Sequence, residues 1–376
     1  MCGGAARAFP LPPVKPVIRP QGRAARKDTR YFMSVNYSVI FTQRQKAELI
    51  ASPFCEKPGP DEIVGKTVVS VISNGSETGG FMGYGGSEGR YPCETGYANI
   101  LKVTETGSRV EGISPGDLVF SLTPHKLYNR AAARDVFLVP GDILPEKAAL
   151  CRFPAVSMTA FLHSDIRPTE AVLVSGLGIV GLMCAQVMQR CGFAVYASDP
   201  DQKRQETARS CGLKHIGPSV ESFGLPEKSA GLGIDCSGND QAILSLIPYI
   251  RQLGQLALVG VPWRQTSDLS AHELLRQIFY SYLRVYSGWE WSLPRRSGDF
   301  DPNSNLRSMQ KALEWIADGS IVTDGIYRLF SPKDCSALYP AIAAGELDKP
   351  CAIFDWRPFH EGISPAAGSE GEVAEG

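Results

Sequence analysis

The stretch AVLVSGLGIVGLMCAQVMQRCGFAVYASD, residues 171–199, decides the fold. AVLVS reads as a buried strand, and it is followed by Gly176, Gly178 and Gly181 in G-x-G-x-x-G spacing. Such a match is weak when it stands alone. Here apolar residues then recur at Val180, Met183, Cys184, Val187, Met188 and Cys191, one face of a helix. A second strand ends in Asp199, eighteen residues past Gly181. Strand, glycine turn, helix, strand and terminal acid together make the arrangement that binds a dinucleotide.

Each part has a physical reason. Gly176 permits the tight turn, Gly178 lets a pyrophosphate approach the backbone, and Gly181 lets helix and strand pack closely, while the helix N-terminus offers free N–H groups and a favourable dipole. Asp199 is expected to accept hydrogen bonds from the adenosine ribose and to repel a 2′-phosphate, which favours NAD over NADP. Lys203 and Arg204 could hold a phosphate, but they lie a helical turn later. The expected cofactor-binding set is Gly176, Gly178, Ile179, Val180, Gly181, Asp199, Arg204, Ser237, Val259 and Gly260. A further G-x-G in GLGIDCSG, residues 231–238, precedes a strand and is read as a turn only.

Outward from this unit the pattern differs on the two sides. From residue 170 onward strands alternate with amphipathic helical segments, which predicts an α/β domain with a doubly wound parallel sheet over 169–301. From about 35 to 168 short β-branched runs such as EIVGKTVVSVIS and GDLVFSL are separated by turn residues, which predicts a mostly β domain over 33–168. The stretch SGDFDPNSN marks a boundary near 300, and the segment 302–356, ending in PCAIFDW, is expected to return to the first domain. Residues 357–376 are Gly-, Glu- and Ser-rich and read as a disordered tail. Residues 1–32 are Pro- and Arg-rich and either imitate a transit peptide or are an over-extended gene start, with Met33 opening the first strand-like alternation.

At 376 residues the chain is long enough for two such domains. A net charge of −1, from 38 basic and 39 acidic residues spread along the chain, leaves no electrostatic footprint for nucleic acid or a membrane surface, so a small-molecule partner is expected. The ten cysteines form no C-x-x-C pair, which points to reduced thiols and a cytoplasmic location.

Gly107, Val110, Gly116, Asp117 and Val119 in the first domain, followed by the nucleotide-binding half and a C-terminal return, resemble the medium-chain dehydrogenase/reductase superfamily over residues 35–356. The resemblance implies a GroES-like catalytic domain, a Rossmann domain, a cleft between them, and a dimer or tetramer. A homodimer is expected here, paired through an edge strand in YSYLRVYSG, residues 280–288.

In zinc-dependent members the catalytic ligands come from three places. Here those places hold Ser73 or Asn74 in VISNGSE, Tyr97 in the Gly96-Tyr97-Ala98 turn, and Arg152 or Ala155 in ALCRFPAVSMTA. None is a good zinc donor. The four-cysteine lobe that binds structural zinc is also missing between Leu118 and Leu138. The resemblance therefore implies that no metal is bound. SNGSE, the Gly-Tyr turn and VFSLTPH are similar to a zinc-lacking group that includes bacteriochlorophyllide a dehydrogenase.

Without zinc a side chain must take the proton of an alcohol. His125 in TPHKLY is expected on a loop facing the cleft and is the first candidate for general base; His163, His215, His272 and His360 read as structural. Tyr97 is expected to point its hydroxyl into the cleft. By resemblance, Ser76 matches a proton-relay hydroxyl, Glu77 an acid supporting the Tyr97 turn, and Thr159 a residue beside the nicotinamide. Cys93 and Glu94 shape the turn or touch substrate. In SGWEWSLPRR, Trp289 and Trp291 could stack on sugar faces and Arg295 or Arg296 meet a carboxylate or phosphate, against the plainer reading of an interface loop.

The function expected is a zinc-independent, NAD-dependent oxidoreductase acting on a secondary alcohol or ketone such as a polyol or sugar derivative. The alternatives are a zinc-free enoyl or quinone reductase and an NAD(H)-binding sensor without turnover.

Overall fold

The computed structural model describes residues 33–84 and 90–361. The segments 1–32 and 362–376, read above as an extension and part of a tail, lie outside them. A six-stranded sheet runs in the order His215–Gly217, Ala194–Ser198, Ala171–Ser175, Ala230–Asp235, Ile250–Leu258, Arg284–Ser287. All its pairings are parallel. Chain order therefore reverses at Ala171–Ser175, where a crevice opens beyond the carboxyl ends of the strands. The expected doubly wound sheet is present, with the glycine turn at its reversal point.

The helix Ile179–Arg190 begins at that turn. Its contact with the strand is as close as backbone allows: a Cβ on Gly181 would lie 1.8 Å from the Gly176 carbonyl oxygen. Gly176 itself takes φ +90°. Around a Cβ placed on Gly178, by contrast, nothing lies within 4 Å, so the backbone there faces open space.

The β-rich part contains a seven-stranded sheet and a three-stranded sheet. In the larger one Glu62–Val71 is central, pairing with Asn99–Thr106, Tyr128–Ala132 and Cys351–Asp355. The PCAIFDW run thus supplies a strand to a sheet built mainly from residues far earlier in the chain. The helix Arg152–Leu162 links the two parts, and one apolar cluster continues through it from Val69 and Phe120 to Val174 and Met188. Both parts therefore share a core.

Three boundaries differ from expectation. The chain remains helical over Arg357–Glu361, because Phe359 is buried against Trp356 and Tyr37, so no tail starts at 357. The edge strand is confined to Arg284–Ser287, since residues 280 and 281 end the helix Ala271–Ser281. DVFLVPGD yields only the two-residue strand Phe137–Leu138.

The contact at Gly181 generates a stability prediction. Gly181→Ala should destabilise the protein by about 2 kcal/mol or more through overpacking, and Gly178→Ala by far less; urea denaturation of both variants measures the difference, and equal losses would remove the packing argument.

Candidate active site

Two cavities open on the N-terminus of the helix Ile179–Arg190. One, of about 340 Å³, is lined by Gly178, Lys203, Arg204, Thr207, Asn74 and Lys349 among others. The second, of about 380 Å³, is lined by Ser76, Tyr97, Ser237, Val259, Gly260 and Glu290 with the rings of Phe153, Trp263, Trp289 and Trp291. Ile179, Val180, Gly75, Cys236 and Trp263 border both. No side chain caps this helix at Gly178, so its first N–H groups face the junction of the two cavities. Open backbone at Gly178, a free helix N-terminus and an elongated pair of cavities fit a dinucleotide. Gly178, Ile179, Val180 and Arg204 would lie along its phosphates and adenosine side, and Ser237, Val259 and Gly260 along the far end. Gly176 and Gly181 line neither cavity, and their part is the packing described above.

Asp199 is 3% exposed. Its Oδ2 accepts the Leu177 N–H at 2.7 Å and its Oδ1 the Asp201 N–H at 2.9 Å. Arg204 does not stay a turn away as the sequence suggested; its Nη1 lies 3.3 Å from Asp199 Oδ2. Carboxylate and guanidinium stand together at this end.

On the opposite wall, Ser73 and Asn74 open the helix Asn74–Met82, and Tyr97 follows the short strand Cys93–Glu94. Gly96 takes φ +80°, and a Cβ there would lie 2.5 Å from the His125 imidazole. Only glycine lets the turn pass over that ring and aim Tyr97 at the cavity.

His125 is a correction to the expectation of a base facing the cleft. It is 1% exposed, with Nδ1 2.7 Å from Ser70 Oγ and Nε2 3.2 Å from Glu77 Oε2. Trp356 Nε1 donates to the same Ser70 oxygen at 2.9 Å, and the Tyr339 hydroxyl donates to Glu77 at 2.6 Å. Glu77 also accepts the Ser73 N–H at 2.8 Å. One tautomer satisfies this set: Nε2–H donates to Glu77 and Nδ1 accepts from Ser70. Burial and the nearby Glu77 charge push the Tyr339 phenol well up, so it stays a donor. His125 and Glu77 thus brace the turn beneath Tyr97 and do not border the cavity.

Further expectations are relocated. Thr159 is fully buried on the helix Arg152–Leu162 and its hydroxyl has no partner; Phe153 and Val156 reach the cavity from that helix instead. Arg295 and Arg296 both pair with Asp135, so neither is directed at the cavity that Trp289 and Trp291 line. Glu94 pairs with Lys126. His360 accepts a structural role through a 2.7 Å contact with the Thr67 carbonyl.

The feature that sequence reasoning missed is a buried ion pair. Arg152, 2% exposed, pairs through Nη2 with Glu290 Oε1. Its guanidinium lies 4.7 Å from the centroid of the Tyr97 ring and 5.7 Å from that of Trp291. Burial pushes the Tyr97 phenol up; Arg152 opposes this, Glu290 adds to it, and hydrogen bonding with Ser73 and Ser76 lowers it. The acid between the two tryptophans of GWEW was the available signal.

The same pair bears on zinc. The positions that the resemblance matches to zinc ligands, Ser73 or Asn74, Tyr97, and Arg152 or Ala155, offer hydroxyl, amide or methyl groups, and the Arg152 guanidinium sits among them. These residues do not fit a zinc ion. Among the described residues no group of three His, Cys, Asp or Glu side chains could hold a metal.

No protein-family model matches the chain. Sorbitol dehydrogenase of Bacillus subtilis is 29% identical over 135 residues, 34% of this chain and 38% of the relative. L-galactonate-5-dehydrogenase of Escherichia coli is 33% identical over 132 residues, 33% of this chain and 39% of the relative. The matched region thus spans about two-fifths of the length of these curated relatives. Among solved structures, galactitol-1-phosphate dehydrogenase of Escherichia coli superposes with a TM-score of 0.70 at 18% identity, covering 85% of this chain and 99% of that one. The likeness is one of fold, and it does not single out the zinc-lacking group that includes bacteriochlorophyllide a dehydrogenase. The chain has the two-domain fold of that structure, a GroES-like β-rich part joined to a Rossmann parallel sheet.

Proposed function

We propose that the protein is a nicotinamide-dependent alcohol dehydrogenase that works without zinc, uses NAD, and acts on a polyol or sugar-derived secondary alcohol. The observation that carries this reading is the junction at Ile179 and Val180, where a backbone cradle suited to a dinucleotide opens directly into a cavity bordered by one phenol and three tryptophans. Bound there, the nicotinamide supplies the hydride acceptor. The tryptophans offer faces on which the C–H surface of a sugar or polyol can stack. Sorbitol, galactonate and galactitol 1-phosphate, in the names of the related proteins, belong to this substrate class.

The preference for NAD rests on the strand-end position of Asp199, whose charge opposes a 2′-phosphate; the carboxylate itself borders neither cavity, its oxygens being taken by the Leu177 and Asp201 N–H groups and Arg204. Lys203 and Arg204, which line the first cavity, are the opposing feature, so NADH and NADPH must be titrated side by side by nicotinamide fluorescence. Tight NADH binding together with NAD reduction by a polyol, on protein shown metal-free by elemental analysis, supports the proposal. Stoichiometric zinc defeats the metal-free part of it. Preference for NADPH with an activated alkene points to a reductase instead, and nucleotide binding without turnover on any alcohol points to a sensor.

A homodimer and a reducing compartment complete the proposal. The helix Ala271–Ser281 and the turn after it leave Leu275, Phe279, Tyr280 and Tyr282 exposed beside the edge strand, Phe279 at 73% and Tyr282 at 65%. A second copy, paired along Arg284–Ser287, would cover that face. The described cysteines are all free, as a reducing compartment requires. Among the described residues, no helix is long and apolar enough to cross a membrane.

Two variants separate chemistry from support. Tyr97→Phe should lower turnover at least ~100-fold with nucleotide binding and melting temperature preserved. His125→Phe should instead cost roughly 2–4 kcal/mol in urea denaturation, because it strips a partner from buried Glu77 and Ser70. Full activity in Tyr97→Phe would remove the phenol from the mechanism. For assembly, Phe279→Asp with Tyr282→Asp should shift the sedimenting species from dimer to monomer; a wild-type monomer would end the dimer proposal.

A further inference from the structure

We propose that Arg152, fixed by Glu290, is a positioning residue that takes over the electrostatic part of a catalytic metal by stabilising the phenolate of Tyr97, the group that accepts the alcohol proton. The inference rests on the dehydrogenase reading for its chemistry and on geometry for everything else. The guanidinium sits over the Tyr97 ring at 4.7 Å, with the Trp291 ring 5.7 Å from it on the cavity wall. It is buried and its Nε has no hydrogen-bond partner; Glu290 offsets part of its charge and burial still holds the Tyr97 phenol above its ordinary value, so the guanidinium lowers the cost of forming the phenolate during the step rather than making it the resting form. In a site of low dielectric such a charge acts strongly on an ionisable neighbour.

A purely structural role explains this arrangement poorly. Desolvating an Arg–Glu pair is costly, and apolar side chains of similar volume commonly serve stability as well or better. What apolar side chains cannot supply is a positive potential at the phenol.

The charged groups facing Tyr97 are few. Arg152 comes from the helix Arg152–Leu162 and Glu290 from the turn Glu290–Ser292, while Ser73 and Ser76 add neutral hydroxyls. Cys151, next to Arg152, is a buried thiol whose pKa is pushed far up, so it stays neutral. His125 and Glu77 pair with each other below Gly96.

In the step proposed, the alcohol O–H bond breaks and its proton forms the O–H of Tyr97. The carbinol C–H leaves as hydride to the oxidised nicotinamide, and the carbonyl product forms. The Tyr97 proton then passes by way of the Ser76 hydroxyl, which also borders the cavity, to solvent. Electrons and protons balance without a metal or a further reagent.

The test reads the phenol directly. NMR of the protein with ring-labelled tyrosine, with the Tyr97 signal assigned by Tyr97→Phe, gives its titration curve, and circular dichroism at each pH verifies the fold. Glu290→Gln removes the counter-charge and should lower the Tyr97 pKa. Combining it with Arg152→Met leaves a neutral, volume-matched pair and should raise that pKa by about one unit or more relative to Glu290→Gln alone, the size expected for an opposite charge at this range. The acid limb of the kcat/KM profile for alcohol oxidation should move in the same directions.

Should the double variant fail to fold, Glu290→Gln alone still decides, since an unchanged or raised pKa overturns the proposal. An unchanged pKa in both folded variants overturns it as well. The titration needs no turnover, so a protein inactive on every alcohol but showing the two shifts would retain the electrostatic pairing while losing the dehydrogenase reading.

Discussion

Among the described residues, the tightest glycine contact is the seat of the helix Ile179–Arg190 on the strand before it. With no Cβ at Gly181, the helix axis comes close enough for its first turn to lie over the carboxyl ends of the parallel strands. Everything at the site is measured from that point. The glycine at 178 faces open space because its neighbours at 176 and 181 have taken up the close contacts. Both cavities border Ile179 and Val180 because the helix starts between them.

A second layer of constraint comes from polar groups that never meet a ligand. Ser70, Glu77, His125, Tyr339 and Trp356 form one buried network drawn from five separate segments, and it holds up the turn that carries Tyr97. Fully satisfied networks of this kind rigidify a core, and partly satisfied ones are costly. The cavity-facing phenol therefore inherits its position from groups hidden behind it. The Arg152–Glu290 pair supports the same phenol from the other side, so Tyr97 is held between a hydrogen-bonded network and an ion pair.

Much of the nucleotide half was legible in the sequence because its signals are local: glycine spacing, helical periodicity and a strand end fall within thirty consecutive residues. The direction of the TPHKLY loop was not legible. It depends on Gly96, Ser70 and Glu77, which share no periodicity with it, and so a histidine expected in the cleft proved to be buried. Arg152 was noticed only as a poor zinc ligand, since its partner lies 138 residues away. Arg295 and Arg296 were misdirected for the same reason, their partner Asp135 being on the far side of a domain boundary. Phe359 shows how one buried ring keeps the helix Arg357–Glu361 attached, against the compositional signal.

The contact between Trp263 and Gly79 ties the histories of the two halves together. The indole extends from the nucleotide-binding half and lies so close to the helix Asn74–Met82 that a Cβ on Gly79 would be 2.5 Å from its ring. The constraint runs one way: a larger residue at 79 needs a smaller or displaced side chain at 263, whereas a smaller residue at 263 meets no such bar. Recombination that brought in a homologous half with a larger residue at 79, in nature or by design, would have to inherit the matching residue at 263 or reopen the seam.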